Sequence, residues 1–208
     1  MVIAYVGCER CDMVYYMSKI AINSGRTVLI VDNSKKGDLY RSLSNGTGNR
    51  KDTDYGSIVR NCDITADETD AFDFVFLYHG ESVIDMPYDI TCDILYVACE
   101  VTQLALEDAL EALESTSLCA ETTVFVAREV VSEKFTPQAM AAYLKVKPSD
   151  YLVIPLSEDD CAKYNGLLNG GEQLVKNCSK DMQFLLQDYV KLAFNENEKN
   201  AKRIVSRN

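Results

Sequence analysis

The chain has 208 residues, 47% hydrophobic and 25% charged, the make-up of one ordinary folded domain rather than a disordered or fibrous chain. Its net charge of −11 argues against a nucleic acid partner, which needs clustered lysine and arginine against phosphate; the basic cluster in the sequence, Lys199 to Arg207, stands at the extreme end. There is no basic leader before the first apolar run and no stretch near the ~20 apolar residues of a membrane span. The expected location is therefore the cytoplasm, where the eight cysteines act mostly as small buried apolar residues.

The apolar run at 2–6 predicts a buried strand. Residues 12–24 predict a helix, with Met13, Tyr16, Met17, Ile20 and Ala21 on one face, Asp12 able to cap its start and Gly25 its end. A second strand at 27–31 gives a parallel βαβ unit. Residues 33–56 are polar and glycine-containing, a loop region with a short helix around 38–43, followed by a short strand near 57–60. Further strands are expected at 74–78, 94–98, 122–126 and 151–154, the last stopped by Pro155. Helices are expected at 102–115, 136–144, 159–168 and 179–194, with Gly170-Gly171 breaking the chain between the last two. The domain thus spans 1–194, and the segment 195–208, NENEKNAKRIVSRN, reads as a polar, frayed tail.

Short apolar strands alternating with amphipathic helices predict an α/β fold, a three-layer αβα sandwich with a mainly parallel central sheet. Ligands in such folds bind at the carboxyl ends of the strands. The candidate rim is 7–12, 32–37, 79–82, 99–102, 127–130 and 155–159.

The first turn, in VGCERCDMVYY, sits where nucleotide-binding chains of this layout keep a phosphate loop. It has one glycine, Gly7, and then Cys8, Glu9, Arg10, Cys11 and Asp12. In layout the chain resembles the deviant-Walker ATPases of the MinD/ParA type, a SIMIBI branch of the P-loop NTPases, over roughly 2–194. The likeness rests on IAYVGCERCDMVYYMSKIAINSGRTVLIVD, on FDFVFLYHGES, on CDILYVACEVTQLALEDALEALE, and on DYLVIPLSEDDCAKYNGLLNGGEQLV, which is similar to the family's Ile-Pro-x-Asp stretch near the nucleotide base. The resemblance implies a P-loop NTPase-like fold and places a nucleotide site at Gly7, Cys8, Glu9, Arg10, Cys11, Asp12 and Asp32.

The departures from that pattern bear on chemistry. Family loops supply glycines whose N–H groups wrap phosphates, lysines, and a hydroxyl for Mg²⁺. Here Arg10 falls near the lysine position, Cys11 near the hydroxyl position, and the loop is several residues short. A thiol is a poor Mg²⁺ ligand. Glu9 and Asp12 oppose the charge of Arg10. Asp32 matches the first acid of the second strand, but Asn33-Ser34 follow it, and the third strand ends in Tyr78-His79-Gly80-Glu81 where an acid linked to Mg²⁺ is expected. The site is expected to be degenerate, with no catalytic residues, no metal and no cofactor. The chain then reads as a non-catalytic, ATPase-derived binding or scaffold protein. Some divergent relatives accompany pilus-assembly and secretion machinery, so the resemblance implies an accessory role there.

Two alternatives stay open. One is a weak ATPase switch that binds ATP and Mg²⁺ through the unusual loop. The other is a redox protein built on Cys8-x-x-Cys11 at a helix N-terminus, where a thiol pKa falls; Arg10 helps this reading, while Glu9 and Asp12 hinder it. His79, the single histidine, is expected to be a rim residue satisfied by a neighbouring loop. The expected partner is a protein. The association state is a monomer or a nucleotide-independent homodimer, because the lysine that reaches across relatives' ATP-bound dimers is absent. The apolar positions Ala201, Ile204 and Val205 are too few to anchor the chain stably in a membrane.

Overall fold

The computed structural model describes residues 1–8, 10–44, 50–53, 56–60, 66–80, 91–100, 119–130, 151–155 and 157–208. The helices expected over 102–115 and 136–144, together with Glu9 and Glu81, lie outside these residues.

The strands are β1 (Val2–Gly7), β2 (Val28–Asp32), β3 (Arg50–Thr53), β4 (Gly56–Arg60), β5 (Phe74–Gly80), β6 (Thr91–Glu100), β7 (Cys119–Val130) and β8 (Tyr151–Pro155). The helices are α1 (Asp12–Asn23), α2 (Asp38–Ser44), α3 (Ala66–Asp70), α4 (Glu158–Leu168), α5 (Lys180–Phe194) and α6 (Glu198–Arg207). The strands form one sheet in the order β3-β4-β2-β5-β1-β6-β7-β8. All pairings are parallel except β3 with β4, so seven parallel strands carry one antiparallel edge. This is the expected α/β sheet of a P-loop NTPase-like fold.

The strands read as near-continuous apolar runs because both faces of the sheet are covered. On one face Ile3, Tyr5, Phe76, Tyr96 and Val126 meet α1 and α5 in a single core. On the other, Ala4, Val6, Val31, Leu77, Val97 and Phe125 form a second. From β1 the chain moves to β2, then to the edge strand β3 and back through β4, and returns at β5; from β6 it moves the opposite way to β7 and β8. The crevice between the carboxyl ends of β1 and β6 is therefore the switch point of the sheet, where ligands of such folds bind.

Three elements differ from the sequence reading. β3 lies within 33–56, read as loop; its polar Arg50-Lys51-Asp52-Thr53 gives no apolar pattern, and backbone pairing to β4 defines it. α3 also went unread. The third is the polar end. Residues 198–207 do not fray but form α6, capped by Asn197, whose side chain accepts from the N–H of Asn200 at 3.0 Å. Ala201 and Val205 are fully buried and Ile204 packs on the α1-side core. Asn195, at φ 53°, closes α5 in the left-handed region and turns the chain back onto it. Asn23 at the end of α1 donates to Asn208 at 2.6 Å. The small apolar face of α6 is thus spent within the domain. Val205→Ala is expected to lower the unfolding free energy by about 2 kcal/mol, the loss of two buried methyl groups and their packing. Urea denaturation at unchanged slope checks this, and a change within about 0.5 kcal/mol, typical of surface positions, would mean that α6 is not part of the folded core.

Candidate functional site

β1 ends against β6. Gly7 has φ +110°, and a Cβ there would lie 1.7 Å from the carbonyl oxygen of Ala98, so only glycine fits. The Cys8 N–H donates to the same Ala98 oxygen at 2.8 Å. The Arg10 N–H then donates to the Cys8 carbonyl at 2.8 Å, a tight turn, and α1 starts at Asp12. Cys11 is the residue before the helix and its side chain makes no capping bond.

The candidate residues are not equivalent. Asp12 is 2% exposed and sits in the first turn of α1, where a carboxylate meets the positive end of the helix dipole. Its Oδ2 accepts from Arg128 Nη2 at 2.9 Å and from Arg10 Nη2 at 3.1 Å. Burial pushes the Asp12 pKa up, but the two guanidiniums outweigh it and hold the carboxyl below its usual value. Burial pulls the Arg128 pKa down, and Asp12 more than reverses this, so Arg128 stays charged. Arg10 also lies over the ring of Tyr164 in α4, 4.3 Å from its centroid.

The thiols behave differently. Cys8 Sγ lies 3.4 Å from Tyr5 Oη, and Cys11 is fully buried. Burial pushes both thiol pKa values up, the reverse of what a reactive thiolate needs.

Asp32, at the end of β2, stands apart from the Asp12 cluster in its bonding. Its Oδ1 accepts from the Ser34 N–H at 3.0 Å and from the Ser34 hydroxyl at 2.5 Å; its Oδ2 accepts from the Tyr40 N–H at 2.7 Å. Burial raises its pKa, partly opposed by these bonds. Ser34 in turn accepts from the Gly37 N–H at 3.1 Å, so Asp32 ties the start of α2 to β2.

Around α1, Tyr15 exchanges hydrogen bonds with Gln173: its hydroxyl donates to the carbonyl at 3.2 Å and accepts from the N–H at 3.0 Å. Lys19 Nζ donates to Glu172 at 2.6 Å and to the Gln173 carbonyl at 3.0 Å. These contacts clamp the segment after Gly170-Gly171 over the helix. Tyr16 is core.

The sequence reading placed 127–130 on the rim but did not single out Arg128. Its signal was available. In Val124-Phe125-Val126-Ala127-Arg128, alternation sets Arg128 on the face of Val124 and Val126, which is the α1 side. A lone charge on the buried face of an apolar strand requires a buried counter-ion.

No protein-family model matches the chain, and no curated protein matches it in sequence. Solved structures do match in fold. The chain is similar to a ParA family ATPase from Chlorobium tepidum at 12% identity, over 99% of this chain and 97% of that one, with a TM-score of 0.57. It is also similar to the MinD cell division protein of Aquifex aeolicus at 10% identity, over 100% and 96%, with a TM-score of 0.52. At such identities the likeness is one of fold: the chain has a ParA/MinD-like, P-loop NTPase-like α/β architecture.

Proposed function

We propose that this chain is a binding or scaffold protein of ATPase ancestry that works without nucleotide chemistry. The supporting observation is Asp12. In a phosphate loop, the backbone amides of the turn and of the helix start face the ligand's phosphates. Here that helix end holds the chain's own buried carboxylate, with Arg128 and Arg10 as its counter-ions. A magnesium triphosphate does not fit this set. The turn from Gly7 to α1 has only residues 8–11 for a cradle. The thiol of Cys11 stands where the resemblance puts a hydroxyl ligand, and both oxygens of Asp32 are committed to Ser34 and Tyr40. The raised thiol pKa values likewise weigh against a redox role for Cys8 and Cys11.

In this reading the partner is a protein, and the accessory role in pilus assembly or secretion follows the family resemblance. Among the described residues no helix is long and apolar enough to cross a membrane. Calorimetric titration with ATP and Mg²⁺ is expected to give no saturable heat, and light scattering is expected to give the same mass with and without them. Magnesium-dependent ATP binding, or a dimer that forms only with ATP, would overturn the reading.

A further inference from the structure

The chain is rich in acids, yet α6 carries a run of cations without counter-ions. Lys199, Lys202, Arg203 and Arg207 are all exposed. Among the described residues none of them takes part in an ion pair. Lys199, Lys202 and Arg203 stand at the three- and four-residue spacing of one helix side. That side lies opposite Ala201, Ile204 and Val205, which pack in the domain. Arg207 follows Arg203 one turn later.

This arrangement works against the helix itself. Lys199 is three residues from Lys202 and four from Arg203, and Arg203 is four from Arg207. Like charges at such spacings destabilise a helix. Arg207, in the last turn, gains from the helix dipole, but Lys199, in the first turn, loses by it. Glu198 lies four residues before Lys202, and no ion pair joins them. The sequence holds 32 acidic residues against 21 basic ones, so acids were at hand to balance the stripe. A local charge pattern that costs stability without an internal return is the mark of a functional surface. Size and charge narrow its occupant. From Lys199 to Arg207 the stripe is about 12 Å long, at about 1.5 Å per residue, the reach of a short peptide. Glu196 and Glu198 stand at its start, and the whole chain carries −11. A nucleic acid duplex or an anionic bilayer extends past the stripe into that charge; a short acidic segment laid along α6 does not. A bilayer also finds no apolar side of α6 to take up, since Ala201 and Val205 are fully buried. Carboxylates match the forked guanidiniums of Arg203 and Arg207.

We propose that the exposed side of α6 docks an acidic segment of a partner protein, with Lys199, Lys202, Arg203 and Arg207 as its contacts. This deepens the scaffold reading, and rests on it for the partner being a protein. It gives that reading a surface and a chemistry: carboxylates against a basic helix, away from the β1–α1 turn and independent of any nucleotide.

The test is fluorescence anisotropy of a labelled octaglutamate peptide titrated with the whole chain at low and at high salt. Saturable binding is expected at low salt, weakened at least about tenfold at high salt. The triple variant Lys199→Gln, Lys202→Gln, Arg203→Gln is expected to bind the peptide at least about tenfold more weakly and to melt no lower than the parent, because it removes like-charge repulsion from α6. A control with the same change in charge, Arg26→Gln, Lys35→Gln, Lys180→Gln, alters exposed cations elsewhere and is expected to keep the affinity within about twofold. No saturable binding at low salt, or an equal loss in both triple variants, overturns the proposal. So does an α6 variant that melts clearly lower, since the cations would then serve the fold. Tighter binding to a DNA duplex, or to phosphatidylserine vesicles, than to the peptide also overturns it. None of these results touches the nucleotide-free reading, which falls only to magnesium-dependent ATP binding.

Discussion

Asp12→Ala is expected to destabilise the fold by about 3–5 kcal/mol, the cost of stranding a buried charge by removing its partner. Arg128 is 2% exposed, and Asp12 Oδ2 at 2.9 Å is the bond that compensates it. Against a typical domain stability of about 5–15 kcal/mol, that loss brings the protein near its unfolding threshold. Arg128→Met is expected to cost less, since Asp12 loses one counter-ion but keeps Arg10 Nη2 at 3.1 Å. The double variant, Asp12→Leu with Arg128→Met, is expected to recover most of the loss, because an apolar pair carries no desolvation penalty. Urea denaturation of the parent, of Asp12→Leu and Arg128→Met singly, and of the double variant gives the coupling directly. If the single changes cost under about 1 kcal/mol, or the double change costs their sum, the cluster does not hold the turn. Acid gives a second readout. The folded carboxyl of Asp12 titrates below its unfolded value, so its contribution is complete above pH about 4 and is lost as pH falls further.

The sheet was legible because each parallel strand is buried on both faces and so appears as an apolar run between turns. The strand ends were not. β6 and β7 run past their apolar centres at 94–98 and 122–126, since pairing continues through Thr91↔Cys119 at one end and Glu100↔Arg128 at the other. Asp93, outside that apolar centre, accepts from the N–H of Val2 at 2.6 Å and fixes the start of β1. α6 escaped because Ala201, Ile204 and Val205 were weighed against a membrane, whereas they pack within their own domain. Three small contacts suffice there because Asn197 caps the helix and Asn208 ties its end to α1.

The site was half legible. The β1–α1 turn showed its odd charges in sequence, but not how they combine. Asp12 counted there as a repulsive charge beside Glu9; in the fold its counter-ion comes from β7, 116 residues away. Asp32 resembled a nucleotide-site acid by position. Yet Asp32-Asn33-Ser34 is also a local turn pattern in which an aspartate accepts from a backbone N–H two residues on, and that is the bond formed.

His79 is expected to make the protein acid-labile well above the carboxylate range. It is the penultimate residue of β5, is 2% exposed, and its Nε2 has no hydrogen-bond partner. The rim histidine satisfied by a neighbouring loop is therefore not what the structure has at that nitrogen. Burial alone pulls its pKa down to about 4, against about 6.5 in an unfolded chain. The sign follows from proton binding. Above pH about 6.5 the ring is neutral in both states and does not make stability depend on pH. Between about 6.5 and about 4 the unfolded chain takes up a proton that the folded one refuses. Each pH unit in that window therefore costs about 1.4 kcal/mol, about 3 kcal/mol in all. Asp32 works the other way: its raised pKa lets the folded state accept a proton more readily than the unfolded one, which offsets part of the loss. Subtracting a His79→Asn variant separates the two, since Asp32 is common to both proteins. Stability measured by urea at half-unit steps should fall more steeply for the parent than for the variant from pH about 6.5 downward. As the chain has a single histidine, its ring resonances can also be followed by NMR without assignment. A ring that titrates in the folded protein with a midpoint near 6.5, or equal slopes for parent and variant, would show that His79 meets solvent or an unseen partner and is not the acid-sensitive point of the fold.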